Sequence, residues 1–322
     1  GHTSQPISIV GGEFRIATDK DGTGQTAWGS TASTINHGQY LQVRGTASPS
    51  DLVETLVSVT IGSDTMAWSL TTASTAAYPI VAFERGTPDI FARSVGAIGA
   101  SDGSVGTMAL LRFKHALNRT TTRAVWAALT GSARVQVQLL NTGKLRAAVF
   151  NGAATLIARF ETSTVIDDDL PHDILISWDV TQATNAAGCS VYVDGVLNQN
   201  TGATWTPANG PIDYDYAGGT YCFGGANTTP ASAANFEGEL GAFYLNIAAR
   251  VDLTDSLNRA KFDASQIGTT GTGPTGSQPV IFLVGNAAQW NDALGLNRGS
   301  GAKYIKQGSA SVTDVGAGSA WS

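Results

Sequence analysis

Two carboxylates stand two residues apart in the run F-E-G-E-L-G, at Glu237 and Glu239. On an extended strand such residues share a face roughly 7 Å apart. That falls within the range of about 5 to 9 Å between the two carboxyl groups of a glycoside hydrolase. Alternation on a solvent-facing strand also produces such pairs without catalysis. Sugar contact needs a different set: aromatic faces for the apolar side of a pyranose ring, with amides and carboxylates for its hydroxyls. Trp205, Tyr214, Asp215, Tyr216 and Tyr221 supply that mixture inside one loop-rich stretch, Thr201 to Gly225. Aromatic residues of a sandwich equally serve as core or loop anchors. Asp167, Asp168, Asp169 and Asp173 offer oxygen ligands of the kind calcium takes. Three consecutive carboxylates point in different directions, however, and fit a solvated loop better. The four histidines are scattered, so no zinc ligand set with tight spacing forms.

The chain that must position these residues has 322 of them, of which 14% are charged and 38 are glycine. Both figures depart from the ordinary globular average, about 25% charged and about 7% glycine, and suit many short strands and turns. The formal net charge is −6 and no basic cluster could neutralise a row of phosphates, which argues against a nucleic-acid partner. No apolar run approaches about 18 residues, so no membrane-inserting helix is expected. The N-terminal run GHTSQPISIV lacks the basic and apolar regions of an export signal. Cys189 and Cys222 lie in strand-like runs and could pair only if their strands were neighbours. Two buried free thiols is the favoured reading.

Period-2 alternation organises the chain. In HDILISWD, Ile174, Ile176 and Trp178 point one way and Leu175, Ser177 and Asp179 the other. Val191 and Val193 follow on one face, with Tyr192 on the other, and then Asp194-Gly195. A DG pair between alternating apolar residues is a hairpin turn, because both central positions need positive φ. Further strands are expected at Ile80–Glu84 and in GTMALLRFK, RVQVQLL, KLRAAVFN and TLIARF, with Asn141–Lys144 as a turn. A single strand is expected over Phe236–Ile247. The stretch Arg119–Leu129 suits helix or strand by composition and is assigned to strand because its surroundings are sheet. Leu253–Phe262 reads as the one helix, capped by Thr254 or Asp255.

The motifs divide into three segments: 6–72, 78–265 and 266–322. The runs HDILISWD, VYVDG, FEGELGAFYL and DSLNR resemble, in order and spacing, the concanavalin A-like and laminin-G-like lectin jelly roll of phage and prophage structural proteins. Segment 6–72, with Ile35, Gly38, Leu41, Val43 and Arg44 in an I-x-x-G-x-x-V-x-V-R run, is similar to a bacterial Ig-like repeat. Leu41 stands where that pattern has Val. Segment 266–322 carries P-x-x-[FY]-L-x-G, then W-N, then N-x-G-x-G, which in the phage proteins follows the lectin-like domain. It is expected to pack on the jelly roll with Trp290 as anchor.

The fold class expected is therefore all-β, a small Ig-like sandwich followed by a larger concanavalin-like jelly roll. The resemblance implies a non-enzymatic virion or cell-surface structural protein of the decoration, fibre or spike kind. Its lectin-like domain would contact surface or capsular polysaccharide, and its other partners would be virion proteins. The alternatives are a polysaccharide-degrading hydrolase using Glu237 and Glu239, or a structural decoration protein with no ligand. The laminarinase-like branch of the superfamily has an E-x-D-x-x-E run, whose central Asp is missing here. No cofactor is implied beyond the calcium that related laminin-G domains bind. A homo-oligomer is compatible with a fibre role, but no heptad or triple-helical repeat specifies one.

Overall fold

The computed structural model describes residues 4–20, 24–45, 54–71, 78–83, 91–93, 103–115, 121–128, 135–166, 170–214, 221–225, 235–292, 296–306 and 312–315. The chain divides into two compact units, Gly1–Thr75 and Ala76–Ser322.

The first unit is a small two-sheet sandwich. One sheet has the order Ser33–Ile35, Gln5–Val10, Glu54–Ile61, Asp64–Thr71, and the other pairs Gly12–Ala17 with Tyr40–Gly45. Alternation places Ile7, Ile9, Phe14, Ile16, Val57 and Val59 in its core. The chain changes sheets at Gly11, whose φ is +79°. A β-carbon there would lie 2.0 Å from the Leu56 carbonyl oxygen, so only glycine fits.

The second unit is a jelly-roll sandwich of two larger antiparallel sheets. The seven-stranded sheet runs Leu156–Glu161, Leu145–Phe150, Val135–Leu139, Arg123–Ala128, Tyr221–Phe223, Phe91–Arg93, Ile305–Lys306. The nine-stranded sheet runs Val196–Leu197, Cys189–Val193, His172–Asp179, Val105–His115 and then forks. On one half Val105–His115 pairs Gly238–Leu240, which leads to Val81–Phe83 and Thr313–Asp314. On the other half it pairs Ala242–Asn246, which leads to Ile281–Val284.

The fork has a local cause. Arg112 adopts φ +53°, leaves the ladder and donates its backbone N–H to Asp173 Oδ1 at 2.7 Å. Facing this bulge, the strand expected over Phe236–Ile247 breaks at Gly241. A β-carbon there would approach Tyr78 Cβ to 2.8 Å and the Leu111 carbonyl oxygen to 3.0 Å. The DG turn forms as expected, with φ +50° at Asp194 and +76° at Gly195. Asp194 also ties the hairpin to its base. Its Oδ1 accepts Asp173 N–H at 2.8 Å, and its Oδ2 lies 2.6 Å from His172 Nδ1.

Between the sheets lies one apolar core. Phe160 of the seven-stranded sheet stacks on Trp178 of the other at 4.9 Å, and Trp126 and Phe223 meet Phe243. Two β-bulges in the seven-stranded sheet each turn two successive residues inward, Val125 with Trp126 and Ile157 with Ala158. Arg123–Ala128 is thus a strand, as its setting suggested. Both cysteines are free and buried. Burial raises both thiol pKa values, that of Cys222 to about 12.

Segment 266–322 is more than a layer packed on a finished domain. Ile281–Val284, Ile305–Lys306 and Thr313–Asp314 are strands of the two sheets. Trp290 is fully enclosed between them, against Phe83, Phe91 and Phe223. The helix expected at Leu253–Phe262 is the shorter Ser256–Ala260, capped by Asp255 Oδ1 on Leu257 N–H. Two further helical turns form at Asn185–Gly188 and Ala287–Trp290; each has its own side-chain N-cap, from Thr184 and Asn286.

Candidate functional site

The aromatic residues singled out for sugar contact divide by burial. Tyr214 is fully enclosed: its hydroxyl accepts Trp178 Nε1–H at 2.9 Å and donates to the Val105 carbonyl at 3.0 Å. Burial raises its pKa. Tyr221 is equally enclosed, sits in a central strand of the seven-stranded sheet and stacks on Trp126 at 5.1 Å. Neither ring can present a face to a sugar, which corrects the expectation; the partners that bury them are remote in sequence. Trp205 is half-buried at the sandwich edge, edge-on to Phe160, with Nε1–H donated to the Gln182 carbonyl at 2.8 Å. Asp215 and Tyr216 lie outside the described residues.

Glu237 and Glu239 are both partly exposed, but each is held by its own cation. Glu237 Oε2 lies 3.1 Å from Arg123 Nη1, and Glu239 Oε1 lies 3.6 Å from Lys114 Nζ. Gly238 between them has φ +152°, which departs from the regular extended backbone on which the shared-face spacing rested. Asp167, Asp168 and Asp169 lie outside the described residues. Asp173 spends one carboxylate oxygen on the Arg112 bulge, and burial raises its pKa. Among the described residues no group of three or more His, Cys, Asp or Glu side chains is placed to hold a metal ion.

A different surface concentrates uncommitted polar chemistry: the outward face of the seven-stranded sheet. In RVQVQLL the valines enter the core, so Gln136 and Gln138 point outward; in KLRAAVF the outward residues are Arg146, Ala148 and Phe150. Pairing aligns them in rows. One row is Glu161, Arg146, Gln138, Ala124; the other is Arg159, Ala148, Gln136. Small residues, Ala124, Ala148, Ala127 and Cys222, form its floor and are almost fully enclosed, while Phe150 is half-exposed. Glu161 is already satisfied, at 3.0 Å from Arg146 Nε and 3.1 Å from Asn200 Nδ2. Among the described residues, the side chains of Gln136, Gln138 and Arg159 have no hydrogen-bond or ion-pair partner. Sequence reading found the alternation here but passed over its polar positions, which looked like ordinary solvent-facing residues.

No family model matches the sequence, and no curated protein matches it. Among solved structures, the chain aligns with a heptameric SAP-like pentraxin from Limulus polyphemus at 12% identity, over 76% of this chain and 94% of that one, with TM-score 0.38. It aligns with the receptor binding domain of a botulinum neurotoxin mosaic serotype C/D at 11% identity, over 52% and 38%, with TM-score 0.36. A third likeness is to the NanB sialidase of Streptococcus pneumoniae, at 13% identity over 67% and 31%, with TM-score 0.35. The chain thus spans about a third of the length of the latter two. The fold stands on its own strand pairing: an all-β chain, a small sandwich followed by a larger jelly roll.

Proposed function

We propose that this chain is a carbohydrate-contacting surface protein without catalytic activity, and that the glycan lies across the outward face of the seven-stranded sheet. The observation that carries the proposal is the coincidence, on one face, of two uncommitted amides, an uncommitted guanidinium and a half-exposed aromatic ring over a floor of small side chains. Amides and a guanidinium match sugar hydroxyls and ring substituents, and the ring supplies an apolar stacking surface. The motif order described above adds a setting: a decoration, fibre or spike component of a phage-type particle or a cell surface, with segment 6–72 as an Ig-like adaptor.

Titration calorimetry of the full chain against a panel of bacterial surface and plant polysaccharides tests the sugar contact. Binding at micromolar to millimolar Kd that weakens at least tenfold in Gln136→Ala/Gln138→Ala supports it; binding to none of the panel overturns it. For the hydrolase alternative, the relevant measurement is reducing-end release from the same panel. Release that a Glu239→Gln change abolishes would replace the non-enzymatic reading.

A further inference from the structure

Resting on that reading, we infer that the glycan is acidic, with Arg159 as the group that recognises a sugar carboxylate. Pairing sets Arg159 and Gln136 on either side of Ala148, two strand spacings or roughly 10 Å apart. Ala148 between them is small and only 2% exposed, so the two long side chains stand over it. The nearest acid in the ladder of the same strand, Glu161, does not neutralise Arg159, because Arg146 and Asn200 already occupy its oxygens. The described charged side chains of this face are Arg146, Arg159 and Glu161, which sum to +1 in a chain of net charge −6. The positive charge is therefore local, and Arg159 lies in the row that also carries Gln136.

Arg159 is partly exposed, and among the described residues its guanidinium has no counter-charge. An anionic ligand supplies what is missing. The planar fork of arginine matches a carboxylate with two parallel hydrogen bonds, while Gln136 and Gln138 remain for hydroxyls. Sulfate or phosphate esters share the anionic chemistry. The proposal commits to carboxylated sugars because the two-toothed geometry fits a planar carboxylate, and a polyuronate repeats that group along its length.

The experiment compares binding of the full chain to polygalacturonate, to the same polymer after carboxyl reduction, and to dextran sulfate, each at low and moderate salt. The inference predicts at least tenfold tighter binding to the polyuronate than to its reduced form, with affinity falling as salt rises. Arg159→Gln should bring polyuronate affinity down to that of the reduced polymer, and Arg159→Lys should keep only part of the preference. Equal binding of the polyuronate and its reduced form overturns the acidic preference while leaving the sugar contact standing. Preference for dextran sulfate over the polyuronate overturns the carboxylate assignment. Failure to bind any polysaccharide overturns the sugar contact itself. Carboxyl reduction alters only the probe, so the decisive arm does not depend on how a variant folds.

Discussion

The two sheets of the large unit turn opposite kinds of surface away from their shared core. Outside the nine-stranded sheet, Ala109, Leu111, Leu175, Tyr192, Tyr244, Phe282 and Val284 project into a second apolar cluster. The chain from Val251 to Ile267, including Leu253 and Phe262, covers them. Tyr78 Oη closes that layer by donating to the Phe262 carbonyl, and Arg259 lies 4.5 Å over the Tyr192 ring. Outside the seven-stranded sheet the corresponding positions are Gln136, Gln138, Arg146, Arg159 and Glu161 over alanine, and none belongs to an apolar cluster. In the first sheet Ile281–Val284 is buried on both faces and contributes to stability twice. In the second, Val135–Leu139 spends one face on the core and leaves Gln136 and Gln138 partly exposed on the other.

The contrast can be broken from its strongest side. Phe282→Ala removes a ring from beneath the covering layer and leaves a cavity, so unfolding in urea should show a loss of about 3 to 5 kcal/mol. A loss under about 1 kcal/mol would mean that the layer is not a true second core. Gly241→Ala probes the same region through crowding. Its β-carbon meets Tyr78 Cβ, Arg112 Cβ and the Leu111 carbonyl, all fixed close to backbone, and a cost of about 1 to 3 kcal/mol is expected in the same assay.

Asp173 sharpens the comparison through pH. Burial, then the nearby charges of Asp194 and Asp263, raise its pKa against the opposing influence of Arg112. A carboxyl whose folded pKa lies above its unfolded value favours the fold most below the unfolded pKa, near 3.9. That contribution is lost as pH rises through the folded pKa. Asp173→Asn keeps an oxygen for the Arg112 N–H and cannot ionise. Its stability relative to the parent chain should therefore climb between pH 4 and neutrality. A difference that stays constant over that range would show that burial does not perturb this carboxyl. The smallest effect belongs to the open face: Gln138→Ala should shift stability by no more than about 0.5 kcal/mol, since its amide has no partner to lose.

Much of the sandwich was legible because strands announce themselves locally. Ile174, Ile176 and Trp178 enter the core as their alternation requires, and the DG turn needs only its own two residues. The continuous run VIFLV was harder. It reads as an apolar tail, yet Ile281 and Leu283 enter the main core while Phe282 and Val284 enter the second apolar cluster. Full hydrophobicity is what a strand buried on both faces looks like in sequence. The helical turn at Asn185–Gly188 was missed because four residues carry no periodic signal.

Site residues were least legible. Tyr214 and Tyr221 stand in a Gly-rich stretch that resembles an exposed loop, and only the approach of Trp178 and Trp126 from other parts of the chain buries them. The amides of Gln136 and Gln138 look like any polar residues on an outward strand face. Local sequence settled most of the longer strands, their inward residues and the DG turn, since each depends on backbone preferences and period-2 burial within a few residues; the short strands Phe91–Arg93, Tyr221–Phe223, Ile305–Lys306 and Thr313–Asp314 carry too few residues for that signal. Which strands became neighbours, where Val105–His115 forks, which outward face was covered and which charges were left without partners were decided by the tertiary structure. Those properties arise from pairings between residues far apart in the chain, such as Phe91–Arg93 with Ile305–Lys306.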